Sequence, residues 1–313
     1  MRRTILSGDG IPGVPVVSTG STNVTDGLVV VDKPAGLTSQ AVVSRCKRAL
    51  GVRKAGHAGT LDPMATGVLV VGVGKATRLL GYLAGHDKTY VATIRLGQAT
   101  TTDDAEGEPL GEPVDATGLT DQAIGDAMAA YVGDIEQVPS AVSAIKVDGQ
   151  RAYARVRAGE AVELAPRPVT VSRYDVESRT TAGPFCDLVV AVDCSSGTYI
   201  RALARDLGRD LGVGGHLTAL RRLRVGAFDA ARAVPLEEVT PDAVLGLAHV
   251  ARASFPVVEV SGPLAADVSH GRALALELSA DPTALLGPDG ALLGLYAPDR
   301  SRAGWARALA VLV

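Results

Sequence analysis

No apolar run in this sequence is long enough to span a bilayer. The N-terminus, MRRTILSGDGIPGVPVVSTG, opens with two arginines but has no sustained apolar stretch behind them, so it does not read as a secretory leader. These absences point to a soluble, cytoplasmic protein. Cysteine is limited to Cys46, Cys186 and Cys194, an odd count without a CxxC pair. That pattern reads as three small buried residues in a reducing compartment. The five histidines are scattered and show no ligand spacing, so no metal site is expected. No nucleotide-cofactor motif, internal repeat or coiled coil is present, and aromatics make up only 4% of the chain. Excess positive charge is missing too: the net charge of −3, taken alone, argues against nucleic acid as a partner.

What is present is ample apolar material, 47% of 313 residues, enough for one large domain plus a small one or two similar ones. The mean charge also hides clusters. Arg45, Lys47, Arg48, Arg53 and Lys54 occur with no acid among them. Arg201, Arg205, Arg209, Arg221, Arg222 and Arg224 are opposed only by Asp206 and Asp210, and a third group comprises Lys146, Arg151, Arg155 and Arg157. Any one cluster reads as a solvated face. Three of them flanking glycine-rich motifs favour a phosphate-rich partner.

Along the chain, residues 1–25 read as a flexible tail rich in Gly, Ser, Thr and Pro. GLVVVD (27–32) is a short strand stopped by Lys33-Pro34. Thr38 caps a helix with apolar positions Val42, Val43, Cys46 and Leu50, ending at Gly51. Strands are expected over 68–73 and 88–97, the second alternating with Tyr90, Ala92, Ile94 and Leu96 on one face. Residues 101–118 form an acidic loop, and Thr120 caps a helix carrying Ile124, Met128, Tyr131 and Val132. Residues 137–167 read as a basic, projecting excursion. A strand over 186–194 precedes a helix with the stripe Ile200, Leu203, Ala204, Leu207 and Leu211. Arg201, Arg205 and Arg209 are expected on that helix's other side. A further strand is expected over 216–228. Composition shifts after Ala253, so a boundary is expected near 254, followed by a small β-rich unit with a hairpin turn at Asp289-Gly290.

The stretch GHAGTLDPMATG (56–67) gathers Gly56, Gly59, Gly67 and Pro63 around one carboxylate, Asp62. A structural aspartate would cap a helix or close a turn. A functional one would be held at the end of a tight loop facing a cleft. One carboxylate cannot run paired acid–base glycoside hydrolysis, but it can serve as a covalent nucleophile. Out of water it needs a cation beside it. CSSGTYIRALARDLG (194–208) offers one, placing Tyr199 and Arg201 at a strand-to-helix turn. Spacing alone does not join Asp62, Tyr90, Tyr199 and Arg201.

Resemblance does. GHAGTLDPMATGVLVVGVGKATRLL (56–80) resembles the central motif of TruB-type tRNA pseudouridine synthases. So do VDKPAGLTS (31–39), DKTYVATIRLGQATTTDDAEG (87–107), QVPSAVSAIKVDGQRAYARVRAGE (137–160), CSSGTYIRALARDLG and LRRLRVGAF (220–228), in the family's order. The resemblance implies a mixed α/β (α+β) catalytic fold around a bent, mostly antiparallel central sheet, over residues 26–253. Residues 137–167 would be its RNA-gripping excursion and 254–313 a small PUA-like β domain. The implied reaction converts the T-loop uridine, position 55 of tRNA, to pseudouridine on a flipped-out base. Asp62 matches the nucleophile, acting at C1′ or at C6, and Arg201 the arginine paired with it. Tyr199 matches a tyrosine beside the nucleophile that handles the C5 proton. Tyr90 matches the tyrosine stacked on the uracil and Leu220 the leucine beneath it. His57 matches a histidine packed against displaced T-loop bases, and Lys33 a mainly structural lysine.

The implied partner is the tRNA T-arm, with no cofactor, metal, membrane or protein partner, and a monomeric state. Gripping and releasing a T-arm could also help tRNA refold. The weighed alternatives are a non-enzymatic tRNA-binding factor, a guide-RNA-directed rRNA enzyme and a hydrolase. Asp62 speaks against the first, the lack of long basic tails against the second, and the lack of a spaced second acid against the third.

Overall fold

The computed structural model describes residues 26–140 and 164–313, with the backbone alone for 146–147 and 150–151. The expected tail over 1–25, most of the excursion over 137–167 and the side chains of the third basic cluster lie outside the described residues.

In chain order the elements begin with β1 (Gly27–Lys33), α1 (Ser39–Ala49), β2 (Ala55–Ala58), β3 (Thr66–Val73), α2 (Leu80–Ala84) and β4 (Lys88–Leu96). Next come β5 (Ala99–Thr100), β6 (Pro109–Leu110), α3 (Asp121–Ala129), β7 (Gly133–Gln137), β8 (Lys146–Val147) and β9 (Gln150–Arg151). β10 (Arg167–Ala182), β11 (Phe185–Cys194), α4 (Ile200–Asp210), β12 (Gly215–Val225), β13 (Phe228–Asp229) and β14 (Val234–Pro235) follow. The chain closes with α5 (Leu247–Ser254), β15 (Val257–Glu259), α6 (Gly262–Ser269), β16 (Thr283–Leu286), β17 (Leu292–Pro298) and β18 (Ala306–Val311).

One mixed sheet organises the molecule, in the order β14-β1-β3-β12-β4-β11-β10-β7, with β2 added on β3 and β13 on β12. All its pairings are antiparallel except β1 with β14 and β3 with β12. The architecture is therefore the expected mixed α/β one with a largely antiparallel sheet. β1 and β3 read as continuous apolar runs because both their faces are covered. Val29, Val31, Leu69 and Val71 pack under Val42, Val43 and Cys46 of α1. Leu28, Val30, Val68 and Val70 face the opposite way, against Val250 and Ala251 of α5 and Leu286, Leu292 and Leu295 of the second sheet. Helix α1 starts as its sequence dictates, with the Thr38 hydroxyl accepting from Ala41 N at 3.1 Å.

The parallel contact between β3 and β12 is a short seam: only Thr66 opposite Arg221 and Gly67 opposite Arg222. Gly67 is required there. Its φ is +98°, and a Cβ would lie 2.2 Å from the Arg222 carbonyl oxygen. The seam joins the half of the sheet that carries α1 to the half that carries α3 and α4.

The second sheet runs β15-β16-β17-β18. Its hairpin turns at Asp289-Gly290 as expected: Asp289 Oδ1 accepts from Ala291 N, and Gly290 has φ +76°. Through the shared apolar cluster this sheet packs on β1 and β3 rather than standing apart. All three cysteines are free and buried. Burial pushes the Cys46 and Cys194 thiols up to about 11, which makes them inert. Among the described residues, no helix is long and apolar enough to cross a membrane.

Candidate active site at the sheet seam

Asp62 sits in the loop between β2 and β3, and that loop is held from three directions. From below, Arg222 on β12 donates to Gly59 O (3.1 Å), Thr60 O (3.4 Å) and Val68 O (2.8 Å). From α1, the Ser39 hydroxyl donates to Leu61 O (3.0 Å) and accepts from Leu61 N (2.9 Å). From the end of β1, Lys33 Nζ donates to Pro63 O (3.1 Å), which also accepts from Gly36 N (2.8 Å). Asp62 O accepts from Ala65 N at 3.1 Å. The backbone on both sides of Asp62 is thus tied to three separate elements. The sharp bend comes from Gly59, at φ +85°, and Gly67; Gly56 is an ordinary residue of β2.

Ser39 is the simplest of these ties to test, because removing its hydroxyl strands a buried amide and a buried carbonyl together. Ser39→Ala is expected to cost roughly 1–3 kcal/mol in urea unfolding. A loss below about 0.5 kcal/mol would show that the loop does not depend on this contact.

Arg201 approaches from the opposite wall. It is the second residue of α4, whose first turn is buried all round: Ile200, Arg201, Ala202 and Leu203. Arg201 Nε lies 3.0 Å from Asp62 Oδ2. Its Nη1 donates to Thr102 O at 2.9 Å and lies 3.5 Å from Asp104 Oδ2. Arg201 and Asp104 are each 5% exposed at the side chain, while Asp62 is 34% exposed and so remains open to the cleft. The guanidinium therefore bridges a buried carboxylate and an accessible one. Asp104 is itself placed by Thr102 Oγ1 (2.5 Å) and Glu106 N (3.1 Å). Tyr199, the N-cap residue of α4, has its backbone clamped by Gln137: its N–H donates to Oε1 at 2.8 Å and its carbonyl accepts from Nε2 at 3.1 Å.

Asp62, Tyr90, Tyr199, Arg201 and Leu220 all line one cavity of about 280 Å³. Five of the six sequence-expected site residues are thereby brought together. His57 does not line the cavity; it lies on β2, opposite Val71. Burial, aided by the Arg222 charge, holds its imidazole below its ordinary pKa and therefore neutral near pH 7. Tyr90 (6% exposed) and Leu220 (8%) come from the neighbouring strands β4 and β12. Burial raises the Tyr90 phenol, which stays un-ionised.

The expectation for the second basic cluster is corrected. Arg201 does not lie on an outer helix face; it is buried against Asp62 and Asp104. Arg205 pairs with Asp103 and Asp206, Arg209 with Asp206 and Asp210, Arg221 with Asp32, and Arg224 with Asp193. Arg222 is buried outright. The acidic loop supplies Asp103 and Asp104 to this set, so part of its charge meets the arginines rather than solvent. The first cluster meets its expectation: Arg45, Arg48, Arg53 and Lys54 are exposed on and just past α1. Tyr131 and Val132, expected on the helix stripe, lie beyond α3, where the Tyr131 hydroxyl donates to Asp210 and Val132 is exposed.

Sequence reasoning missed Asp104, Gln137, Ser39, Lys88 and Arg222 as parts of the site. Lys33 and Lys88 are buried cations held by carbonyls: Lys33 by Pro34 and Pro63, Lys88 by Ala84 (2.9 Å) and His86 (2.5 Å). Desolvation brings both down to about 8 from 10.5. Between about pH 8 and 10.5 the unfolded chain thus holds protons that the native lysines have released, and stability gains as pH rises through that window. Between pH 7.5 and 9.5, wild type should gain roughly 1–2 kcal/mol over Lys33→Met in urea unfolding. A gap that does not change with pH would count against a buried, charged Lys33.

A carboxylate ion-paired yet open to a cleft, beside one aromatic and one aliphatic wall, can attack and retain a planar base. The fold is shared with solved pseudouridine synthases: the chain aligns with a Cbf5-Nop10-Gar1 complex at TM-score 0.66 and 27% identity, covering 88% of this chain and 78% of that one. A structure of an H/ACA RNP bound to a substrate RNA containing 2′-deoxyuridine shares the fold at TM-score 0.68, with 24% identity, 93% of this chain and 86% of the other. Three family models cover nearly the whole described chain. They are the TruB family pseudouridylate synthase N-terminal domain over 47–200, the tRNA pseudouridylate synthase B C-terminal domain over 201–251, and the tRNA pseudouridine synthase II C-terminal domain over 255–313. Curated relatives include tRNA pseudouridine synthase B of Cutibacterium acnes, 56% identical over 291 residues (92% of this chain, 98% of the relative). That of Thermobifida fusca is 56% identical over 275 residues (86% and 94%). The chain belongs to the TruB family of pseudouridylate synthases, enzymes that isomerise uridine.

Proposed function

We propose that the chain isomerises the T-loop uridine at position 55 of tRNA to pseudouridine, with Asp62 as the nucleophile. The observation that carries this reading is the Asp62–Arg201 contact of 3.0 Å at the mouth of a cavity walled by Tyr90 and Leu220. The relatives' shared name, tRNA pseudouridine synthase B, supports tRNA as the substrate.

In this reaction the C1′–N1 bond breaks, the uracil turns over, C5 bonds to C1′, C5 loses its proton and N1 gains one. Nothing is oxidised and no water is consumed. The uridine first leaves its stack, which costs a few kcal/mol. Stacking on Tyr90 returns about 1–3 kcal/mol, and neither Tyr90 nor Leu220 carries a directional bond that would hinder rotation. Tyr199, clamped by Gln137 beside Asp62, handles the C5 proton. Neutral His57 packs against the displaced loop bases outside the cavity.

The exposed cluster Arg45, Arg48, Arg53 and Lys54 supplies phosphate contacts, so T-arm binding weakens as salt rises. The chain acts on the T-arm as a cytoplasmic monomer, with its C-terminal sheet as a PUA-like RNA-binding unit. The direct test is incubation with an unmodified T-arm stem-loop followed by chemical mapping of pseudouridine. Modification confined to the T-loop uridine supports the reading, and an unmodified T-loop overturns it.

A further inference from the structure

We propose that Lys88 and Arg222 form a pair of fixed cations in the cavity that stabilises the uracil as an anion once its bond to C1′ has broken. The proposal rests on the reading of the cavity as a uridine site.

Both residues line the cavity with Asp62 and Tyr90. Arg222 is 1% exposed and is the first among the largest fully buried side chains; Lys88 is 6% exposed. They converge on one point. A Cβ on Gly59 would lie 3.5 Å from Arg222 Nη1 and 3.6 Å from Lys88 Cε. What sets them apart is their company. Arg95, Arg179, Arg205, Arg209 and Arg221 each meet a carboxylate. Among the described residues, neither Lys88 nor Arg222 forms an ion pair: Lys88 donates to backbone carbonyls, and Arg222 to backbone carbonyls and the Tyr90 hydroxyl, with Asp87 the acid nearest Lys88 in its electrostatics.

Carbonyls satisfy the donors but do not cancel the charge, and an uncompensated buried charge is costly. Neutral donors could hold the same carbonyls at lower cost. The charge itself therefore calls for a role. Around the cavity, Asp62, Asp104 and Arg201 together carry one net negative charge. Counting only the side chains that line the cavity, Asp62 stands against Lys88, Arg201 and Arg222, so the lining itself is cationic before substrate enters.

The chemistry supplies a matching anion. As an Asp62 oxygen bonds to C1′, the electron pair of the C1′–N1 bond passes into the base and spreads over N1, O2 and O4. The carboxylate charge is consumed in the new ester, and the detached base carries the negative charge. It must turn before C5 attacks C1′ and releases the carboxylate. Hydrogen bonds fixed to one edge would resist that turn. Two point charges beside the ring stabilise the anion in every orientation, because the attraction depends on distance and not on direction.

The test compares T-arm RNAs carrying uridine or 5-fluorouridine at the target, in single turnover with enzyme in excess, and follows C1′–N1 cleavage, the step both bases share, because fluorine at C5 leaves no proton for the last step to release. Fluorine makes the uracil anion intrinsically more stable, so it needs the cations less. Lys88→Met should slow this cleavage in uridine by about 100-fold. The same variant should slow 5-fluorouridine by no more than about tenfold, and Lys88→Arg should restore most of the uridine rate. T-arm Kd should change less than about threefold. Equal slowing of both bases would overturn the proposal, since a purely structural defect does not distinguish them.

Should Lys88→Met fail to fold, wild type alone decides. With the anion already stabilised, its two rates should lie within about threefold, and 5-fluorouridine reacting more than about 30-fold faster would overturn the proposal. A wild type that rearranges neither RNA would instead refute the underlying uridine reading.

Discussion

Asp62→Asn is expected to abolish uridine conversion while the protein still grips the T-arm. The amide matches the carboxylate in size, and its oxygen can still accept from Arg201 Nε, so the loop held by Arg222, Ser39 and Lys33 keeps its shape. What is lost is the negative oxygen that the proposed function assigns to attack on the substrate. Single-turnover conversion should fall by at least about 10³-fold, as happens when a nucleophile is removed from an otherwise intact site. T-arm Kd should stay within about threefold of wild type, because the phosphate contacts lie elsewhere. Turnover near the wild-type rate would refute Asp62 as the nucleophile; a parallel collapse in binding would assign it to substrate capture instead.

Arg201→Lys should be nearly as damaging, although the charge is conserved. The guanidinium reaches Asp62 through Nε and both Thr102 O and Asp104 through Nη1, at 3.0, 2.9 and 3.5 Å. A lysine ammonium is a compact point at the end of a flexible stem and cannot span these partners at once. If it moves toward Asp104, Asp62 loses its counter-ion. If it moves toward Asp62, buried Asp104 is stranded. The expectation is a fall in kcat of about 10²-fold with KM changed only a few-fold, because the misplaced group is the reacting one. A wild-type kcat would rule out the fork as the device that aims Asp62.

Much of the fold is legible locally. The strands over 27–33 and 185–194 show as apolar runs, the one over 88–96 as alternation, and α1 through its Thr38 cap. The 16-residue strand β10 is not, because its exposed, polar residues resemble a loop until β11 pairs with it. The four residues of β2 stay hidden in a glycine-rich stretch for a similar reason: only the β3 edge makes them a strand.

The site divides along the same line. Asp62, Tyr199 and Arg201 announce themselves through motif resemblance. Arg222 looks like an ordinary surface cation in a basic run, since no local pattern says which arginine of LRRLRVG points inward, and Lys88 beside Asp87 gives no sign that it is buried. The seam with Gly67 decides that, by bringing the β12 backbone against β3.

By itself, then, the sequence determined which segments bury themselves and where α1 and α4 begin. These depend on side-chain pattern and turn propensity within a few residues. Only the tertiary structure decided which charges meet. Arg201 finds both Asp62 and Asp104, while among the described residues Lys88 and Arg222 form no ion pair. Electrostatic pairing acts over a few ångströms of space whatever the separation along the chain, and here the seam between two half-sheets sets those distances.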